Sequence, residues 1–238
     1  MISTITFDLW KTIFSEISYT NKRKTLLVKF LKERDLEISQ EFLNKIYDDN
    51  FSFLIPNDRS KDYRHIHTRD TLIFLFSNLN IDICETDIVT LQEQFEVLAL
   101  ENPPSLKFGV VETLEVLHKD YSIGLISDTG ITPGRIIKQI FDYYDILKYF
   151  EVLIFSDETS YRKPHPIAFR SALNVLNCLP QNAIHVGDLL GTDIKGAKDY
   201  GMFTIWVNNL DNQERSDITA DYTIHQLPEV IKILKSLK

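Results

Sequence analysis

Four short stretches hold the side chains best suited to chemistry: FDLWKT at 7–12, LISDTG at 125–130, RKPHP at 162–166 and GDLLGTD at 187–193. Asp8 offers a carboxylate nucleophile, Ser127 a hydroxyl, Lys163 a cation, and Asp188 with Asp193 a pair of hard oxygen donors. Each stretch follows an apolar run that reads as a buried parallel strand, so each group stands where a strand ends. In open α/β sheets ligands bind outside the carboxyl ends of the strands, and the four stretches are expected to converge on one pocket. Taken singly, each has an ordinary reading: Asp8 caps a turn, Ser127 is a turn serine, and Lys163 is a surface lysine in a loop stiffened by Pro164 and Pro166. Together they describe a site. Three carboxylates crowded at one sheet edge repel unless a cation sits among them, and Mg²⁺ binds in that way, through one or two carboxylates, water and substrate phosphate. Gly187 lets the backbone come close to whatever binds there. As a loop charge, Lys163 is expected to matter for turnover and little for core stability.

The elements that position these groups are legible from apolar patterning. ISTITF at 2–7, SIGLIS at 122–127, VLIFS at 152–156, AIHVG at 183–187 and FTIWV at 203–207 are short β-branched-rich runs, expected as parallel strands. Between them, 110–118, 136–150, 167–176 and 193–200 show helical spacing. Thr132 before Pro133 suggests an N-cap with proline at the first helical position, and Gly201 closes a helix that begins near Thr192. The fold class expected is α/β: a Rossmann-like, doubly wound parallel sheet.

Residues 15 to about 100 differ. Leu26, Leu27, Phe30 and Leu31, then Phe42, Leu43, Ile46 and Tyr47, then Leu72, Ile73 and Phe76, then Leu91, Phe95 and Leu98 recur at helical intervals with no strand run between them. Pro103 and Pro104 mark the return. The domains expected are a core of 1–14 and 105–238 and an all-helical insertion of 15–104 that includes its linker.

In order and context, the four stretches resemble the motifs of the haloacid dehalogenase-like hydrolases. That resemblance implies a phosphatase-type core with a helical cap, and hydrolysis of a small phosphorylated metabolite through an aspartyl-phosphate on Asp8. It implies Mg²⁺ held by Asp8, the Trp10 carbonyl and Asp188, with Asp193 behind them; a helix-start carboxylate beside Thr192 is a compatible role for Asp193. Ser127 and Asp128 would line the phosphoryl pocket near a helix N-terminus, and Lys163 would balance the charge of the transferring group. Two positions depart from the family pattern. Trp10 replaces the aspartate that serves as general acid and base, and Lys11 replaces a glycine. An aromatic at position 10 resembles the dehalogenase branch, so a metal-independent 2-haloacid dehalogenase is the first alternative and a phosphate-binding protein of little turnover the second.

The chain has 238 residues and a net charge of −8, which argues against a nucleic-acid footprint. The basic run Lys22, Arg23, Lys24 reads as a solvated helix face. Cys84 and Cys178 are expected as reduced, buried thiols. Neither a signal peptide nor an apolar run near the ~18 residues of a membrane span is expected, so the compartment expected is the cytoplasm and the state a monomer or homodimer. Arg64 and Arg69 are candidate substrate contacts, since guanidinium groups bind carboxylate or phosphate bidentately. His65 and His67 lack a third partner for a metal site. His165 and Asp128 are the nearest candidates in sequence for proton transfer in place of residue 10.

Overall fold

The computed structural model describes residues 1–52, 62–208 and 217–237, with side chains at 50–52 excluded. Parts of both expected domains, 53–61 and 209–216, therefore lie outside the described residues. The strands are β1 (Thr4–Phe7), β2 (Ser122–Ser127), β3 (Val152–Phe155), β4 (Ala183–Gly187), β5 (Phe203–Val207) and β6 (Tyr222–Ile224). They form one sheet in the order β3-β2-β1-β4-β5-β6, with every pairing parallel. The five expected strands are present. The sixth was not anticipated because its three residues, YTI, are too few to establish a run. β1 lies at the centre with Thr4, Ile5, Thr6 and Phe7 all buried, as a strand covered on both faces must be. Chain direction away from the centre reverses between β1 and β4, which makes their carboxyl ends the topological switch point.

After β1 the chain forms α1 (Thr20–Lys32), α2 (Gln40–Ser52), α3 (Thr68–Asn78), α4 (Glu85–Glu96) and the short α5 (Leu98–Glu101). Leu27, Phe30, Leu43, Tyr47, Leu72, Phe76, Leu91 and Phe95 form an apolar cluster of their own, separate from that around the sheet. Phe30 meets Phe76 edge to face at 5.5 Å. Backbone pairing ties the insertion to the core: Arg162 N donates to Tyr63 O at 2.7 Å, and His65 N to Ser160 O at 2.9 Å.

The sheet is flanked by α6 (Val110–Leu117), α7 (Gly134–Tyr143), α8 (Ser156–Thr159), α9 (Pro166–Val175), α10 (Lys195–Asp199) and α11 (Glu229–Ser236). The helix expected at 136–150 ends early. Asp145 takes a left-handed φ of 55°, and Leu147–Tyr149 continues only as a 3-10 turn. The start of α7 also differs by one residue, with Pro133 in the extended capping position. Its cap is supplied from α8: Gly134 N donates to Asp157 Oδ1 at 3.1 Å, a partner 23 residues away that local sequence does not reveal. Cys84 is exposed and Cys178 half-buried, both as free thiols, which corrects the expected burial. Among the described residues no helix is long and apolar enough to cross a membrane.

Gly134 is required by close approach, since a Cβ there would lie 2.3 Å from Phe155 Cδ2. Helix propensity alone favours alanine over glycine by ~1 kcal/mol, whereas overpacking costs about 1 to 3 kcal/mol. Gly134→Ala is therefore expected to lose stability, by up to roughly 2 kcal/mol in denaturant unfolding. A stabilised variant would contradict the packing described.

Candidate active site

Asp8 is the first residue beyond β1, and its N–H donates to Val186 O on β4 at 2.8 Å, which seats it at the switch point. Ser127 closes β2, Asp188 follows β4, and Asp193 lies in the π-helical turn Leu190–Ile194 that leads into α10. Lys163 comes from the loop between α8 and α9. Its ammonium donates to Asp8 Oδ1 at 2.5 Å, Asp193 Oδ1 at 2.6 Å and Ile126 O at 2.9 Å. Three protons meet three acceptors. The loop is held by Asp128, whose Oδ1 accepts from Lys163 N at 3.0 Å. Asp8, Ser127, Lys163, Asp188 and Asp193 are all at most 6% exposed.

A buried histidine not anticipated from the sequence completes the network. His185, within β4, places Nε2 3.3 Å from Asp193 Oδ1 and Nδ1 2.8 Å from Thr6 Oγ1. Burial lowers its pKa, so the neutral ring donates from Nε2 to Asp193 and accepts the Thr6 hydroxyl at Nδ1. The other Asp193 oxygen accepts from Leu189 N at 3.0 Å. The chain of contacts thus leaves β1 at Thr6 and returns to Asp8 through His185, Asp193 and Lys163. A histidine inside the apolar run AIHVG was the one available signal.

Burial dominates the electrostatics. It raises Asp8 well above the usual carboxylate range despite Lys163, and pushes Asp188 up to about 7, with Asp193 adding repulsion. For Asp193 burial acts in the same sense, but Lys163 and His185 outweigh it and hold the carboxyl low. Burial would discharge Lys163, but Asp193 and Asp8 outweigh it and keep it protonated. Asp128 is pushed up to about 6, chiefly by burial.

Ligand oxygens of Asp8, Asp188 and Asp193 lie within 4.8 Å of one another. An all-oxygen, anionic donor set suits a hard divalent cation, and a cation among them would offset the cost of ionising Asp8 and Asp188. Gly187 makes the close packing possible, because a Cβ there would lie 2.4 Å from Asp193 Cγ. Ser127 Oγ is buried and has no hydrogen-bond partner among the described residues, leaving its hydroxyl for a bound group.

Trp10, Tyr19, Arg23, Thr129, Ile131 and Thr132 line a cavity of about 360 Å³, which adjoins the site in sequence through Trp10 and Thr129 and is not lined by Asp8, Ser127, Lys163, Asp188 or Asp193. A larger one of about 820 Å³ between α1 and α2 contains none of the site residues. Trp10 is half-buried and packs on Phe14 at 6.0 Å. Lys11 has a left-handed φ of 60°, the conformation that favours glycine; its ammonium pairs with Glu16 at 3.0 Å. Arg23 is buried, so the reading of residues 22–24 as a solvated face fails at its middle residue. Arg64 and Arg69 do not line the cavity. Arg64 is exposed and Arg69 half-buried, and they pair with Asp62 and Glu85 at 2.7 and 2.6 Å. His65 instead binds Ser156 Oγ through Nδ1 at 2.9 Å, and His165 caps α9 while stacked on Tyr161 at 4.1 Å.

The family model described as haloacid dehalogenase-like hydrolase matches residues 20–207, and the chain belongs to that family. The match begins after Asp8, but a full-length relative spans it. The glyceraldehyde 3-phosphate phosphatase of Methanocaldococcus jannaschii is 28% identical over 243 residues, covering 100% of this chain and 99% of that protein. Against other archaeal phosphatases of that name the chain covers only 35% to 54% of their length. Among solved structures, a 2-haloacid dehalogenase from Pseudomonas syringae pv. Tomato DC3000 has a TM-score of 0.75 at 25% identity, over 100% of both chains. A phosphatase of this family from Thermococcus onnurineus has a TM-score of 0.66, also at 25% identity, over 98% of both.

Lys163 is 3% exposed, and the expectation that it matters little to stability is corrected by its burial between two carboxylates. Removing one partner of a buried ion pair costs about 3 to 5 kcal/mol. Lys163→Met is expected to lose roughly that much in metal-free buffer at pH 7. Asp193, held low in the native state, stabilises the wild type above the unfolded carboxyl pKa, and this is lost as pH falls through its folded value. The gap between the two proteins should therefore narrow once pH drops below about 4. Denaturant unfolding at both pH values checks this, and equal stability at pH 7 would contradict it.

Proposed function

We propose that this protein is a Mg²⁺-dependent phosphomonoester hydrolase acting on a small phosphorylated metabolite, with Asp8 as the nucleophile. The observation that supports this most is the protonated Lys163 bridging Asp8 and Asp193 beside a third carboxylate, Asp188, and the open Ser127 hydroxyl. In this reading Lys163 holds Asp8 Oδ1 and so directs its other oxygen at phosphorus. Attack forms the acyl-phosphate and breaks the ester P–O bond; water then attacks phosphorus, releases phosphate and restores Asp8. Lys163 and Ser127 oppose and orient the charge of the phosphoryl oxygens. A bound Mg²⁺, held by Asp8 and Asp188 with the Trp10 carbonyl, would supply Lewis-acid stabilisation of that charge. Asp193 anchors Lys163, and the helices α1–α4 act as a cap over the cavity beside Trp10. A substrate of few carbons is in keeping with the name of the full-length phosphatase relative. Arg64 and Arg69, paired with Asp62 and Glu85, are given no role in this reading.

A dehalogenase reading draws on Trp10 and on the likeness to the Pseudomonas structure. The two readings separate on the metal. Turnover of an aryl phosphate is expected to require Mg²⁺ and to vanish in Asp8→Asn; full activity in excess chelator, or halide release from a 2-haloacid, would contradict the proposal.

Trp10 adds a requirement of its own. With no carboxyl at that position the leaving oxygen departs largely unprotonated, so rates should fall steeply as leaving-group pKa rises. Trp10→Asp is expected to flatten that dependence and raise alkyl phosphate turnover, by up to the ~10² to 10⁴-fold that general acids contribute. The folded fraction must be followed as well, because Trp10 is half-buried against Phe14 and its removal costs part of the ~3 to 5 kcal/mol of a fully buried Trp. A wild-type rate insensitive to leaving group would show that another residue donates the proton.

A further inference from the structure

Arg23, in the first turn of α1, is a second buried cation near the site. Its residue exposure is 9%, and Nε has no hydrogen-bond partner among the described residues. None of its described neighbours supplies a compensating anion. The groups against it are phenols: its guanidinium lies 5.5 Å from the Tyr19 ring centre, and Tyr47 is its other aromatic neighbour. Burial pushes both phenols up to about 12, so neither is ionised at neutral pH. Tyr19 is further committed, donating its hydroxyl proton to Asn102 O at 2.7 Å. No carboxylate lies within 4.0 Å of Arg23 among the described residues, whereas adjacent Lys24 has Asp48 at 2.7 Å. Glu16, on the cavity wall, is held by Lys11.

A buried guanidinium with a free donor and only neutral neighbours is costly unless an anion arrives. Arg23 shares its cavity with Trp10 and Thr129, each two residues beyond a proposed phosphoryl-site residue, Asp8 and Ser127. We infer that Arg23 receives a carboxylate at the far end of the substrate, so the preferred substrates are small phosphomonoesters of hydroxy acids. The planar guanidinium fork matches a planar carboxylate in two parallel hydrogen bonds. This rests on the phosphatase reading above and narrows it. A neutral substrate such as an aldehyde or polyol phosphate would leave the charge uncompensated. Trp10 then has a role as an apolar wall that dries the space between the two anion sites and strengthens both.

The test compares 2-phosphoglycolate with its neutral amide, glycolamide phosphate, on wild type, Arg23→Lys and Arg23→Met. A charged hydrogen-bonded contact of this kind corresponds to a preference of about 10²-fold in kcat/KM, residing mainly in KM. Wild type is expected to show that preference, Arg23→Lys to keep part of it, and Arg23→Met to bring the ratio near one. A wild-type ratio near one overturns the inference without needing a variant, as does an unchanged ratio in folded Arg23→Met. A wild-type preference for ethylene glycol bisphosphate over 2-phosphoglycolate would overturn the carboxylate assignment. If wild type hydrolyses neither ester, the phosphatase reading fails, and calorimetric binding of phosphonoacetate decides this one. Binding lost in Arg23→Met supports a carboxylate site, and no binding to wild type overturns it.

Discussion

A single buried ammonium organises this protein's sheet edge. Lys163 reaches the switch point between β1 and β4 from a loop beyond β3 and compensates Asp8 and Asp193 together. Without it, two carboxylates would be buried close together with only neutral donors to hold them, an arrangement that desolvation forbids. With it, Asp193 stays ionised and anchors the ammonium, while Asp8 keeps one oxygen outside the pair. The ends of β1, β2 and β4 must keep register for this to hold, with Lys163 delivered from the loop between α8 and α9. His185 extends the same constraint into the sheet, because its ring locks the turn after β4 to Thr6 on β1.

The cluster still carries more negative than positive charge. Asp188 and Asp8 both resist ionisation for want of a further cation, and it is this residual imbalance, in an oxygen-only donor set, that suits the place to a divalent ion and a phosphoryl group. Lys11 shows that the hinge after β1 keeps its left-handed geometry even without glycine, at the modest cost such a conformation carries for other residues. Trp10 keeps the wall apolar where a proton donor is expected. On the proposed reading the site relies on charge stabilisation rather than on acid catalysis from residue 10.

Much of the site was legible in the sequence because strand ends are readable and chemistry gathers there. Asp8, Ser127 and Asp188 stand at strand ends that the sheet order brings together, while Lys163 and Asp193 arrive from the loop between α8 and α9 and the turn after β4. What was not legible depends on contacts between distant segments. His185 looks like any polar interruption of a strand until Asp193 folds back on it. Arg23 reads as one of three basic residues on a solvated face, and what separates it is burial beside the cavity without an acidic partner among the described residues; Lys24 also lies over Tyr47 but pairs with Asp48. Arg64 and Arg69 read as free guanidinium groups, whereas the structure pairs them with Asp62 and Glu85, partners the sequence pattern does not reveal. The early end of α7 and the cap given to it by Asp157 likewise depend on partners that local periodicity does not contain.

The central claim, that this lysine-anchored cluster makes Asp8 a nucleophile toward phosphorus, is tested most directly by acid quench during turnover of a good aryl phosphate with Mg²⁺, followed by peptide mass analysis. The account predicts a transient mass gain of one phosphoryl group on the peptide containing Asp8, absent in chelator and discharged as free phosphate accumulates. Steady turnover with no phosphorylated peptide at any quench time, or with the phosphoryl group on another residue, would contradict it.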